Sequence, residues 1–482
     1  MPKEGPAVTL QTIMTQSTPP VAIATRFGEF AERLALHAER PDHEPIKLYI
    51  LDTLAVMIAG AKADSSVTMA RTLRKLGSGN AATVAGIGRV ASAQDAALLN
   101  GAFSHALELD DDHRVAVLHP GAVVVPAALA ACELSKASGK TFLVATLAGY
   151  EIMCRLGLAY RGSHFEHGMH PTAIFGVFGA ALAAGIGLGL DAAGLTRALG
   201  IAGTQASGLT EWRSDGSWIK RLHPGRAAQS GVLSAALAAE GFTGPATILE
   251  GPGGFFNAMG HGKCINLQAI TDSLGERQHA LETAIKPYPC CRFMHGALDL
   301  ALDAYASGIR PEHIANVEIR IYETGVLTYH KVPLNNVDAQ FNVPYGVACA
   351  LAQGRVGLSD YKAESVRRTD ILNLSERINV TSHEPYTQAY PDVYNVEFVL
   401  RCYDGKVLTL RSTCPSGDPE AEIYKQDKTA FSNEVHRKAA LLLNESGYGH
   451  IAQSLIEQVD QLWESTDLDG LLRCVGTGRY TD

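Results

Sequence analysis

The run "ELDDDHRVAVLHPG", residues 108–121, sets Glu108, Asp110, Asp111, Asp112, His113 and His119 into fourteen positions. Its flanks, "GAFSHAL" and "AVVVPAALAA", are small and apolar, as buried helices are. Buried charge is costly unless it is paired or used. The run is therefore either a solvated turn or part of a site. Three more polar islands follow it. "HFEHGMHPTA" holds His164, His167 and His170, "EWRSDGSWIKRLHPGRAAQ" holds Lys220, Arg221, His223 and Arg226, and "IKPYPCCRFMHGA" holds Lys286, Arg292 and His295. A fifth stretch, "DAQFNVPYGVACA", places Tyr345 just before an expected helix. This inventory suits an anionic substrate, because Lys and Arg bind carboxylates while His and Tyr move protons. Each His that precedes a Pro is expected at a helix start, where free N–H groups also attract anions.

Each island alone has a plainer reading. The acidic run can be a solvated turn, His164 an ordinary surface or core histidine, and Lys220 a snorkelling lysine at a helix end. Asp110 to Asp112 could form a magnesium cluster, but no second acidic motif on a facing helix completes it. Asp-x-His spacing could bind zinc, but no third ligand is identifiable. No metal and no cofactor are therefore expected, and the co-occurrence of the islands is what carries the signal.

The 482 residues suffice for two or three domains. Charged content is only 19%, and 47 glycines point to close helix–helix contacts. The net charge of -9 is spread along the chain, and no basic patch suggests nucleic acid. Nine scattered cysteines without a Cys-x-x-Cys pair fit a reducing, cytoplasmic setting. Residues 1–20 read as a flexible tail without a signal pattern. The uncharged stretch from Ala173 to Leu190 approaches membrane-spanning length but is rich in Gly and Ala and lacks basic flanks. It is expected to be a buried helix, and no membrane partner is expected.

The islands must be positioned by mostly helical elements. "ATRFGEFAERLALHAE" spaces Phe27, Phe30, Leu34 and Leu36 as an amphipathic helix does, and helix patterns follow without intervening strands. Beyond Glu282, "ANVEIRIYETG" alternates as a strand does, "ERINVTSHE" reads as a second strand, and "YNVEFVLRCYDGKVLTLRST" reads as a hairpin turning at Asp404-Gly405. Helical periodicity returns in "SNEVHRKAALLLNE" and "HIAQSLIEQVDQLWES". The expected fold is mainly α. An all-α domain is built from both chain ends, 21–282 and 418–482, around an inserted α+β lid domain at 283–417, with a ligand cleft between them.

The order of "ELDDDHRVAVLHPGAVVVPAALA", "GMHPTAIFGVFGAALAAG", "GSWIKRLHPGRAAQSGVLSAALA", "IKPYPCCRFMHGALD" and "DAQFNVPYGVACAL" resembles the MmgE/PrpD family across nearly the whole chain. That family includes 2-methylcitrate dehydratases, cis-aconitate decarboxylases and an iminodisuccinate epimerase. The resemblance implies a homodimer, and a metal-free, cofactor-free lyase or isomerase of small di- or tricarboxylates. Its leading implication is a 2-methylcitrate dehydratase-like reaction. A cis-aconitate decarboxylase-like reaction, an epimerase and a non-catalytic polycarboxylate binder are the alternatives. By the same resemblance His119, His170, Lys220 and Tyr345 are the expected catalytic groups, with His119 and Tyr345 as a proton-handling pair across the cleft. Glu108, Asp110, Asp111, Asp112, His113, Arg221, His223 and His295 are expected to contact the substrate.

Overall fold

The computed structural model describes residues 21–161, 167–260, 265–326 and 332–476. The expected tail at 1–20 and His164 lie outside the described residues. The chain opens with α1 (Ile23–Leu36), α2 (Arg40–Gly60) and α3 (Asp64–Leu76), then a small antiparallel hairpin, β1 (Ala82–Val84) and β2 (Gly88–Ala91). Next come α4 (Ala93–His105), α5 (Gly121–Ser135), α6 (Gly139–Tyr160), α7 (Pro171–Gly187), α8 (Ala192–Gly203) and α9 (Ile219–Ala239). The helix starts follow local chemistry. Ser92 caps α4 through Asp95 N, Ser138 caps α6 through Thr141 N, and Asp191 caps α8 through Gly194 N.

Helix α7 is buried along its whole length and packs against α5, α6, α8 and α9. A helix apolar all round belongs in the middle of a core. It ends at Gly187 rather than running on to Leu190. Helix α6 is the one described helix long and apolar enough to cross a membrane, but 89% of its apolar window is buried inside the fold.

Two large apolar cores and a four-residue cluster organise the described residues, and the fold is mainly α with a small α+β unit. The larger joins Phe27, Leu54, Phe103, Val124 and Phe175 to Val435, Leu443 and Leu455 from the C-terminal helices Lys428–Glu445 and Gly449–Asp460. The smaller surrounds a mixed four-stranded sheet in the order β4-β3-β5-β6. Strand β3 (Ile314–Ile321) lies parallel to β4 (Ile378–Ser382) and antiparallel to β5 (Val396–Cys402), which pairs antiparallel with β6 (Val407–Ser412). Gly405 takes φ +88 in the β5–β6 turn, the left-handed conformation that glycine adopts without penalty. Helices His295–Ala306 and Val343–Gln353 pack against each other beside this sheet. Val117 and Trp212, from the helical part of the chain, belong to the smaller core, so the two units interlock.

Three local expectations are corrected. The β1–β2 hairpin was not foreseen, because three- and four-residue strands are too short to show a period. Tyr345 lies inside the helix Val343–Gln353, since Asn342 caps that helix by accepting from Tyr345 N at 2.8 Å. His223 does not start a helix, because α9 begins at Ile219 and carries Pro224 in its second turn. That proline has no N–H to bond the Lys220 carbonyl, a cost offset by burial of the helix.

The approach of α4 to α9 sets the positions of His105 and Lys220. A Cβ built on Gly225 would stand 2.2 Å from Leu98 O, and one on Gly101 would stand 2.8 Å from Gly225 Cα. Backbone meets backbone there, so neither helix can yield by a side-chain rotation. Gly225→Ala is expected to lower stability by about 1–3 kcal/mol, the usual cost of overpacking. Denaturant unfolding checks this, and an unchanged midpoint would mean that the helices separate freely.

Candidate active site

The acidic run forms the buried connection between α4 and α5. It is held by two bridges, Asp112 with Ala284 and His113 with Leu118. Glu108 and Val117 adopt φ of 54 and 55, a left-handed conformation uncommon for any side chain and an outlier for a β-branched one. Each such residue costs of order 1–3 kcal/mol and persists only where its surroundings over-determine it.

Glu108 is buried and forms ion pairs with two lysines. Lys220, the second residue of α9, donates to its Oε1, and Lys286 Nζ lies 3.5 Å from its Oε2 and 3.3 Å from its carbonyl oxygen. Burial works to raise the Glu108 pKa, but the two ammonium groups outweigh it and hold the value down at about 2. Burial likewise pulls Lys286 down, and Glu108, Asp110 and Asp112 together hold it above its ordinary value. Asp110 is buried with its Oδ2 2.6 Å from His105 Nδ1. Against burial, the His105 hydrogen bond and the Lys286 ammonium hold its carboxyl below the usual range.

Asp111 works as a bracket. Its Oδ1 accepts from Gly121 N at 2.9 Å, its Oδ2 from the Tyr150 hydroxyl at 2.7 Å, and its carbonyl lies 2.7 Å from His119 Nδ1. A Cβ on Gly121 would fall 2.8 Å from that carboxylate and 2.6 Å from the Tyr150 oxygen, so only glycine lets α5 start there. A carbonyl can only accept, so His119 Nδ1 carries the hydrogen and Nε2 keeps its lone pair. Burial, reinforced by Lys286, pushes the His119 pKa well below the ordinary value. His119 is a neutral imidazole presenting a base. His170 precedes α7 and sits 3.0 Å from His223, Nδ1 to Nδ1, and burial followed by His223 pushes its pKa well below the ordinary value too.

These groups surround a cavity between the two cores, with about 470 Å³ of empty space including its mouth. Glu108, Asp112, His119, His170, Lys220, Lys286 and Arg292 supply its polar wall. Val117, Trp212, Phe293 and Phe341 supply an apolar one. The Lys220 ammonium lies 5.6 Å from the Trp212 ring centre and 5.0 Å from that of Phe341, so the walls meet at this cation. Cys291 also lines the cavity, and burial raises its pKa to about 11, which keeps it a thiol. Among the described residues, no group of three or more His, Cys, Asp or Glu is arranged to hold a metal ion.

Of the expected site residues, His119, His170, Lys220, Glu108 and Asp112 reach the cavity wall. The others stand elsewhere. Asp110 and Asp111 support the wall from behind through the contacts above. His113 Nδ1 accepts from Ala116 N, and its Nε2 is 4.0 Å from Glu282. Arg221 donates to Ser65 Oγ at 3.1 Å, and His223 touches His170 rather than the cavity. His295 lies 3.1 Å from Arg292 Nη1 and 3.3 Å from the Cys290 carbonyl. The Tyr345 hydroxyl donates to the Asp360 carbonyl at 2.5 Å, so no His119–Tyr345 pair spans the cavity. Its helix register aims it into the smaller core, which a position relative to "VACA" does not reveal.

The sequence offers Lys286 and Arg292 only as cations suited to an anionic substrate, and gives no role to His105, Trp212 or Phe341. Lys286 and Arg292 stood in a recognised island, whereas the apolar wall residues look like any core residue. Arg292 is held by the carbonyls of Ser416 and Pro415 at 2.6 and 3.3 Å, a contact across more than a hundred residues.

Comparison with known proteins adds the family. The MmgE/PrpD N-terminal domain model matches residues 25–268, and the MmgE/PrpD C-terminal domain model matches residues 288–430. A cis-aconitate decarboxylase of Aspergillus terreus is 28% identical over 455 residues, covering 89% of this chain and 91% of its own. A cis-aconitate decarboxylase-like protein, oryM, of Aspergillus oryzae is 29% identical and covers 77% of this chain and 82% of its own. The mouse cis-aconitate decarboxylase is 25% identical and covers 78% of this chain and 77% of its own.

Glu108→Gln removes the charge that two buried lysines share. The expected loss is about 3–5 kcal/mol of stability at neutral pH, the cost of breaking a buried pair. The Glu108 pKa is depressed from 4.5 to about 2, so its contribution is complete above 4.5 and disappears as pH falls through about 2. Unfolding titrations of both proteins should differ by a constant amount from pH 7 to 5 and converge below that. A difference under about 1 kcal/mol at pH 7 would mean that the lysines find other partners.

Proposed function

Because the chain belongs to the MmgE/PrpD family, we propose a specific reaction for its cavity. The chain is a lyase acting on a small tricarboxylate, and the bond it breaks is the carbon–carbon bond of a cis-aconitate-like substrate. The observation that carries this reading is the meeting of a cationic wall with an apolar one at Lys220. Lys220, Lys286 and Arg292 bind and orient the substrate carboxylates. The carboxylate destined to leave lies against Trp212 and Phe341, where loss of its charge as carbon dioxide is favoured. The electron pair left behind spreads into a neighbouring carboxylate, and the fixed ammonium groups stabilise that developing charge without reorganising. The Aspergillus terreus and mouse relatives are named for this activity and oryM for its likeness to it, which places decarboxylation ahead of dehydration in this reading.

Dehydration of a 2-methylcitrate-like substrate is the second reading. It is favoured by the His119 Nε2 lone pair, a base positioned to take a proton beside a carboxylate. The family reading also carries a homodimer. A cytoplasmic location is supported by the eight cysteines among the described residues, all free thiols.

Proton NMR of the purified protein with cis-aconitate, 2-methylcitrate and citrate separates these readings. Loss of carbon dioxide from cis-aconitate is the expected result. Loss of water from 2-methylcitrate without decarboxylation would install the second reading, and inertness toward all three would sink both. Lys220→Met keeps the volume and removes the charge. Its expected effect on kcat/KM corresponds to about 2–4 kcal/mol, the range for a preorganised charge-stabilising group. A folded variant within threefold of the parent would reduce Lys220 to a structural partner of Glu108.

A further inference from the structure

We propose that Asp112 delivers the proton that quenches the carbanion left when carbon dioxide departs, an inference that rests on the decarboxylase reading. The four carboxylates of the acidic run have different partners. Glu108 has two lysines, Asp110 has His105, and Asp111 has Tyr150 and Gly121 N. Asp112 alone among the four has no hydrogen-bond donor on its side chain among the described residues. His119 approaches it with Nδ1 3.6 Å from Oδ1. Its Oδ2 is buried without a hydrogen-bond partner, an arrangement costly for a carboxylate and mild for a carboxylic acid. Asp112 also lines the cavity, unlike Asp110 and Asp111. Its backbone is fixed by a reciprocal pair of hydrogen bonds with Ala284, both 2.8 Å, two residues before Lys286.

The charged and titratable groups around it come from several elements. Lys286 and Arg292 on the junction segment favour its charged form, and Asp110 and Asp418 disfavour it. The Tyr322, Tyr390 and Tyr394 phenols are each raised in pKa, by burial first and with Asp112 among the further causes. Burial outweighs the cations, and the Asp112 pKa is pushed up to about 6.

Other donors fit less well. His119 spends its one hydrogen on the Asp111 carbonyl. Lys286 giving up a proton would leave Glu108 and Asp110 with one fewer cation. The step itself balances. The carbon–carbon bond breaks, its electron pair stays on the substrate carbon, and carbon dioxide leaves. That carbon then takes the hydrogen of the Asp112 carboxyl, and water returns a proton to the carboxylate. One proton is consumed per turnover, and no oxidant or reductant is needed.

The test is the pH dependence of decarboxylation of cis-aconitate by the parent and by Asp112→Asn. The donor must be protonated, so parent kcat/KM should fall as pH rises through about 6. Asp112→Asn should lose that limb and roughly 10²–10⁴-fold in kcat, with KM within about threefold. A folded Asp112→Asn that keeps the limb, or keeps kcat within threefold, overturns the assignment. Should Asp112→Asn fail to fold, Asp112→Glu reads the same limb, whose shift supports the proposal and whose constancy overturns it. Parent turnover separates the two ideas. Decarboxylation by the parent with an unaffected variant removes only Asp112 as donor, whereas an inert parent removes the decarboxylase reading and this step with it.

Discussion

One buried carboxylate organises this protein. Glu108 neutralises Lys220 from α9 and Lys286 from the junction with the α+β unit, and it does so from a left-handed backbone position. Two lysines that share one buried carboxylate repel each other, and the charge of Glu108 offsets that repulsion. With Glu108 in place, both ammonium groups are fixed at the wall of a cavity before any substrate arrives. Desolvation of the three groups is costly. The helices that hold them are correspondingly rigid, with backbone-to-backbone contact between α4 and α9 and a glycine start to α5.

The charges in the cavity are sorted by their partners. Glu108 is ionised because two lysines face it, and Asp110 because His105 hydrogen-bonds to it beside Lys286, whereas Asp111 and Asp112 are pushed toward the neutral acid because burial prevails. Lys286 remains protonated, and the buried histidines remain neutral. A run of like charges in the chain thus becomes a set of groups with separate duties. Two balance lysines, one orients the base His119, and one stands at the wall without a donor. Such divergence among neighbouring titratable groups marks sites of chemistry more often than sites of mere stability.

The apolar wall is as much a part of the site as the cations. Trp212 and Phe341 come from different units and meet with ring centres 5.1 Å apart, beside the Lys220 ammonium. Val117 accepts a strained conformation to join them. This wall ties the smaller core to the helical part of the chain, so interlocking of the units and the shape of the cavity are one structural fact.

The mainly helical class, the mixed α+β segment, the Asp404-Gly405 hairpin and the return of the C-terminal helices were all legible in the sequence. Each rests on periodicity or turn chemistry within a short window. So were the polar islands, because runs of charge and histidine stand out against small apolar flanks. The tertiary structure alone decided which members of each island face the cavity. Lys220 and Arg221 are adjacent in the chain, yet one meets Glu108 and the other Ser65. His295 and Tyr345 stand in islands like the rest and are turned into the second core. Direction on a helix follows from register and packing partners more than a hundred residues away, which local spacing does not carry. The protonation of each group was likewise undecidable from the chain, since aspartates 110, 111 and 112 are chemically identical until burial and partners separate them.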